Sequence, residues 1–316
     1  MPTLCPGHSQ NLPIAQDGMR IMHEILGLCP VGSPDLADVL LVVVDFENPH
    51  GIRFRLSGNK LCSQAGLAIL DTKQLEYIHI APDQAIKTHN FVTGPRHYVD
   101  YATRQSVCQT TETRSIRASE MAACIQSKMP PHRNVVIAGH AVANELHVLQ
   151  HLQLYFTCDP IILDTEVIAH AALKLRGLSL CRLLGAVGCP HHQLHHASND
   201  AFFTLRALLL LAIAGCTAET QIQCHARLDL LQRISTFPIL SPKHFDPLVP
   251  TPSKKGWRTS RQPPRQPKKP RCSPEEQDRI RAQREREREE KKEEKGVKDS
   301  WSSASDWDLE SLYRDS

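Results

Sequence analysis

Residues Asp38 to Asp45 read DVLLVVVD, six apolar side chains in succession with an acid at each end. An aliphatic, largely β-branched run without alternation is the pattern of a strand buried on both faces. A strand of that kind calls for cover above and below its sheet, which points to an α/β layer arrangement. Gly51 to Leu56 and Ala65 to Leu70 read as second and third strands, and their short connections make them antiparallel neighbours of the first. Further along, strands at Val135–Ala138 and Pro160–Thr165 each run into a helix, at Ala143–Leu152 and Glu166–Leu173. The pattern predicts an α/β fold with a mixed β-sheet flanked by helices.

Other helices are expected around Met19–Leu28, over Glu120–Lys128 before the Pro130-Pro131 stop, from Leu178 to Leu184, and at Ala226–Ser235. The strongest is Asn199 to Ala214, with Ser198 or Asn199 able to cap it. From His79 to Arg117 aromatic and polar positions mix without a period, and no element is assigned there. The organisation expected is a partly helical leader over residues 1–37, a domain over 38–217, a helical extension over 218–237 and a tail over 238–316.

Charge separates the tail from the body. Residues 251–316 hold 18 basic and 14 acidic side chains, which leaves 37 − 18 = 19 basic and 34 − 14 = 20 acidic for the first 250. A stretch so charged cannot bury enough apolar surface to offset chain entropy, so the tail is expected to be disordered. Residues 251–271 carry eight Lys and Arg, five prolines and no acid, a polycation suited to phosphate backbones or to an import receptor, or simply to solubility. The segment Arg279–Lys295 is a mixed-charge helix former without an apolar stripe. Trp301, Trp307, Leu309 and Tyr313 at the end could anchor a protein partner.

Eleven cysteines occur with no CxxC pair. That fits reduced thiols better than a disulfide framework, and with no signal-like N-terminus it gives the expectation of an intracellular protein, cytoplasmic or nuclear. The longest apolar stretch, Ala207–Cys216, falls short of the roughly 20 residues of a bilayer span, so no membrane partner is expected.

The chemistry gathers at element ends. Strand periodicity puts Asp45 and Glu47 on one face where the first strand finishes. Two carboxylates there repel one another and lose solvation unless a cation lies between them. The pair alone leaves two readings open, a divalent-metal site or a strand that has already emerged into water. A further acid, Glu145, follows a buried strand and the turn Gly139-His140 at the start of a helix. Another, Asp200, stands five residues after His195 and opens the last long helix. The helix dipole favours an acid in the first turn, which accounts for either one singly. Three acidic outposts, each at the mouth of a core element, are harder to explain in that way.

With these motifs the sequence resembles the DEDDh (DnaQ-like) 3′–5′ exonuclease superfamily, of ribonuclease H-like fold, across residues 38–216. Its Asp-x-Glu strand end is matched by Asp45-Phe46-Glu47, its Gly-His-(four residues)-Asp by Gly139-His140 to Glu145, and its His-(four residues)-Asp by His195 and Asp200. The text at Gly66–Thr72 and His195–Ala212 is similar to a fungal branch of that superfamily. The resemblance implies a two-metal hydrolysis of phosphodiester bonds at single-stranded RNA or DNA ends. Asp45, Glu47, Glu145 and Asp200 are implied ligands of two Mg²⁺ or Mn²⁺ ions, and His195 the general base, with His196 its competitor. Glu145 departs from the family's Asp by one methylene, and the alternative it leaves is a catalytically inactive module that binds nucleic acid or a protein. Gln64 stands where related proteins often carry an acid and is expected outside the metal site.

Other histidines are weighed against zinc. Cys189, His191, His192, His195 and His196 are dense along the chain but lack CxxC or HxxxH scaffolding, and His147 and His151 are expected on the polar face of their helix.

Overall fold

The computed structural model describes residues 13–239, apart from 33–35, 37, 54–61, 77–79, 109–110 and 157. All described residues lie in one compact unit. The expectations for the tail lie outside the described residues.

In chain order the elements are α1 (Gly18–Ile25), β1 (Val39–Glu47), α2 (His50–Arg53), β2 (Ser63–Asp71), α3 (Pro82–Ala85), β3 (Ile86–Thr93), α4 (Arg96–Gln105) and β4 (Glu112–Ser115). They continue with α5 (Met121–Gln126), β5 (Asn134–Gly139), α6 (Ala143–Leu152), β6 (Ile161–Asp164), α7 (Thr165–Leu173), α8 (Leu180–Ala186), α9 (Ala197–Ala214), α10 (Ala218–Gln223) and α11 (His225–Thr236). The strands form one mixed sheet in the order β4-β3-β2-β1-β5-β6. β1 pairs antiparallel with β2 and parallel with β5, so the all-apolar strand is central. Burial on both faces follows. Leu41 and Val43 join a core with α1, α7, α8, α9 and α11, while Leu40, Val42 and Val44 join another with α5 and α6. The outer edge of β6 meets Ile14, and Ala15 N–H donates to the Ile162 carbonyl at 2.9 Å.

α9 is the central helix of the first core. By length and composition it could cross a membrane, but 83% of it is buried inside the fold, and a helix apolar all round is at home in such a core. Leu230, Leu231 and Ile234 of α11 pack into the same core. Arg206, fully buried in α9, donates from Nε to the Ser235 carbonyl and from Nη2 to that of Phe237 at 3.0 Å, holding the last carbonyls of α11.

Three expectations are corrected. The strand at Gly51–Leu56 begins instead as the helical turn α2, and residues 54–56 lie outside the described set. Asn48 takes a left-handed φ of 53° that ends β1, and Pro49 with its fixed φ starts the turn, the Ile52 N–H donating to the Pro49 carbonyl at 3.0 Å. The unassigned stretch from His79 to Arg117 holds α3, β3, α4 and β4. β3 was illegible because Thr88 and Asn90 are buried polar residues that erase the apolar signal. Finally, neither Ser198 nor Asn199 caps α9, since His196 holds the cap position and both follow it inside the helix.

Candidate active site

β1 carries Asp45 and Glu47 out of the core on the α9 face of the sheet. Across from Asp45 the partner position is Gly66, where an added Cβ would lie 2.1 Å from the backbone of Ala197. The absence of a side chain there lets the N-terminus of α9 rest directly on the sheet. Asp200, in the first turn of that helix and 8% exposed, is thereby brought beside the end of β1. Its Oδ2 accepts the His195 N–H at 3.0 Å, which pins the loop before the helix, where His195 has a left-handed φ of 65°.

Glu47, His195 and Asp200 each offer a ligand atom, all within 4.8 Å of one another. Among the described residues this is the group of His, Cys, Asp and Glu side chains close enough to hold a metal ion. Asp45 and Glu145 stand just outside that tight group and are coupled to it through charge. Burial, followed by the charges of Asp200, Glu145 and Glu47, pushes the Asp45 carboxyl well above the usual range. Burial is also the main reason that Glu145 and Asp200 are each pushed up to about 7, with Glu47 adding to both and Asp164 to Glu145. Glu47 is raised by burial and partly relieved by His195. Three oxygens, Asp45 Oδ2, Glu145 Oε2 and Asp200 Oδ1, are buried without a hydrogen-bond partner.

The two adjacent histidines have separate roles. His195 is exposed and faces Glu47 and Asp200, whereas His196 is 3% exposed. The His196 Nε2–H donates to the Ala102 carbonyl at 2.8 Å and Nδ1 accepts from Ser198 Oγ at 3.2 Å. Burial holds its pKa down to about 4, so it is a neutral strut between α9 and α4. The histidine-rich run disperses in the fold. His191 turns to Cys181 at 3.3 Å, and His147 and His151 are exposed on α6.

Asp164, at the end of β6, is a residue that sequence reasoning passed over. Its Oδ1 accepts the N–H groups of Ala141 at 3.1 Å and Glu166 at 2.8 Å, and its Oδ2 that of Val142 at 3.0 Å. One carboxylate thus caps α7 and builds the turn that launches α6 with Glu145. His140 closes the same turn, its Nε2–H donating to the Leu178 carbonyl at 2.8 Å while Nδ1 accepts from Thr165 Oγ1 at 2.7 Å. The available signal was an Asp-Thr pair ending a buried strand before a helix, an N-cap pattern. Gln64 stands beside this site. It lies directly opposite Glu47 in register, buried, with Nε2 donating to the Tyr98 hydroxyl at 3.0 Å, so it borders the carboxylates without belonging to the metal-capable group.

Residues 59–211 match the family model described as DNA polymerase III subunit epsilon-like, C-terminal domain, of DEDDh type. The match contains Glu145, His195 and Asp200 and begins after β1. No curated protein matches the chain. A divalent cation fits the residues present. Hard carboxylate oxygens and one imidazole converge, and three of those oxygens are buried with no donor to neutralise them.

Proposed function

We propose, from the premise that residues 59–211 carry a domain of the DEDDh exonuclease superfamily, that this domain hydrolyses phosphodiester bonds at the 3′ ends of single-stranded RNA or DNA in a metal-dependent reaction. The observation that supports this most is the set of orphaned carboxylate oxygens of Asp45, Glu145 and Asp200 around one strand end. Four carboxylates would repel a phosphodiester, so their presence at a nucleic-acid site makes sense only with cations between the two.

Asp45, Glu47, Glu145 and Asp200 would hold Mg²⁺ or Mn²⁺. When bound, the metal supplies activation of water and stabilisation of charge on the leaving 3′ oxygen. The rest of the work falls to side chains. His195, exposed beside Glu47 and Asp200, takes the proton of the attacking water on an imidazole nitrogen, and Glu47 favours the charged ring that results. Asp200 orients that histidine through its backbone N–H. Asp164 and His140 set where α6 begins and so where Glu145 stands.

Purified protein incubated with end-labelled oligonucleotides and Mn²⁺ is expected to shorten them from the 3′ end. Asp45→Ala should slow that shortening by about a hundredfold or more. Equal rates in the two proteins would overturn the enzymatic reading. Glu145, longer than the family Asp and outside the tight group, favours a second reading as a non-cleaving nucleic-acid module. That reading requires salt-dependent binding that disappears on deletion of residues 251–271, and unchanged affinity after the deletion would sink it.

A further inference from the structure

Away from the carboxylates, α8 and the loop that follows it bring a thiol and an imidazole together. Cys181, in the first turn of α8, is exposed, and its Sγ lies 3.3 Å from His191 Nε2. The other ring nitrogen, Nδ1, is 3.0 Å from the Cys189 carbonyl. A carbonyl can only accept, so the proton belongs on Nδ1 and Nε2 is left as an acceptor facing the thiol. The ring is further located by its edge-on contact with Phe203, 6.3 Å between centroids at 77°. A nucleophile, a base within hydrogen-bond reach and a third group that orients the base make up the arrangement by which proteins activate a thiol.

We propose that Cys181 and His191 form a nucleophilic pair that makes Cys181 a covalent modification site for small-molecule disulfides. In the reaction the Cys181 proton passes to His191 Nε2 and Sγ attacks one sulfur of the disulfide. A new S–S bond forms as the old one breaks, and the departing thiolate takes the proton back from His191, so no separate oxidant is needed. Four other described cysteines are held in a less reactive state. Burial pushes the thiols of Cys29, Cys62, Cys189 and Cys216 up, which keeps them protonated and slow. Cys158 is as exposed as Cys181, and no hydrogen bond to a histidine accompanies it among the described residues. It serves as the internal standard.

The test uses the full native chain with limiting oxidised glutathione and, separately, iodoacetamide, followed by peptide mass mapping of each cysteine. At pH 7 Cys181 is expected to react about tenfold faster than Cys158 with both reagents. His191→Gln should bring the two rates together. Rates at the two cysteines within twofold of each other, or a Cys181 rate unaffected by His191→Gln, would each overturn the proposal.

Discussion

Asp45, two residues before the end of β1, and Asp164, at the end of β6, both follow apolar runs in the same sheet, yet they have opposite surroundings. Asp164 receives three backbone N–H groups at 2.8 to 3.1 Å and builds the fold. Asp45 keeps an occluded oxygen with no donor and is surrounded by three other carboxylates. A buried acid is therefore structural or functional according to what faces it. Where the backbone supplies donors the charge is neutralised within the protein. Where other acids face it, something from outside must do so.

The largest expected effect comes from lifting Asp200 away from Asp45. Gly66→Ala forces a Cβ into the Ala197 backbone, and because backbone cannot yield cheaply the N-terminus of α9 must lift from β1. A loss of about 4 kcal/mol in denaturant unfolding is expected, together with the loss of any Mn²⁺-induced rise in melting temperature. Retention of that rise would show that Asp200 does not need its seat on the sheet. Asp164→Ala comes next. It strands three buried or half-buried N–H groups and should cost about 3 kcal/mol, and a change below ~1 kcal/mol would place Asp164 among incidental surface acids.

Titration tests the opposite end of the comparison. The carboxyls of Glu145 and Asp200 lie at about 7 in the fold, against roughly 4 in an unfolded chain. Folding therefore takes up protons in that window, so their contribution to stability is complete below about pH 4 and is lost as pH rises toward 7. In chelator, wild type should fall progressively below Glu145→Gln in melting temperature between those limits, by a few degrees, on the order of ~1 kcal/mol. A gap that stays constant with pH would contradict the raised values. The smallest effect is a reversal of sign. Asp45→Asn should stabilise the metal-free protein by about 1 kcal/mol, opposite to Asp164→Ala, because it removes a charge with no donor. Mn²⁺ should then stabilise wild type and leave Asp45→Asn unmoved, and a Mn²⁺ response common to both would remove Asp45 from the ligand set.

Much of the fold was legible because its signals are local. The unbroken aliphatic run of β1 announced a central strand, and the recurrence of strand and then helix at Asn134–Leu152 and Ile161–Leu173 announced the parallel half of the sheet. β3 and α4 went unread because their buried positions include Thr88, Asn90 and Tyr98, whose fit depends on partners elsewhere in the chain. α2 replaced an expected strand because the backbone turn at Asn48-Pro49 outweighed a short apolar pattern.

For the site, the sequence by itself determined which acids end which elements, since strand and helix periods are set within a few residues. It favoured His195 over His196 by the five-residue spacing to Asp200 alone, since the two are neighbours in the chain. The tertiary structure separated them, because the Ala102 carbonyl and Ser198 hydroxyl claim one while Glu47 and Asp200 face the other. Nor could spacing reveal that Asp164 is saturated and Asp45 is not, or that Gly66 admits a helix backbone. Each of those depends on atoms that lie from about twenty to more than a hundred residues away along the chain, and hydrogen-bond donors and steric room are properties of what arrives there in space.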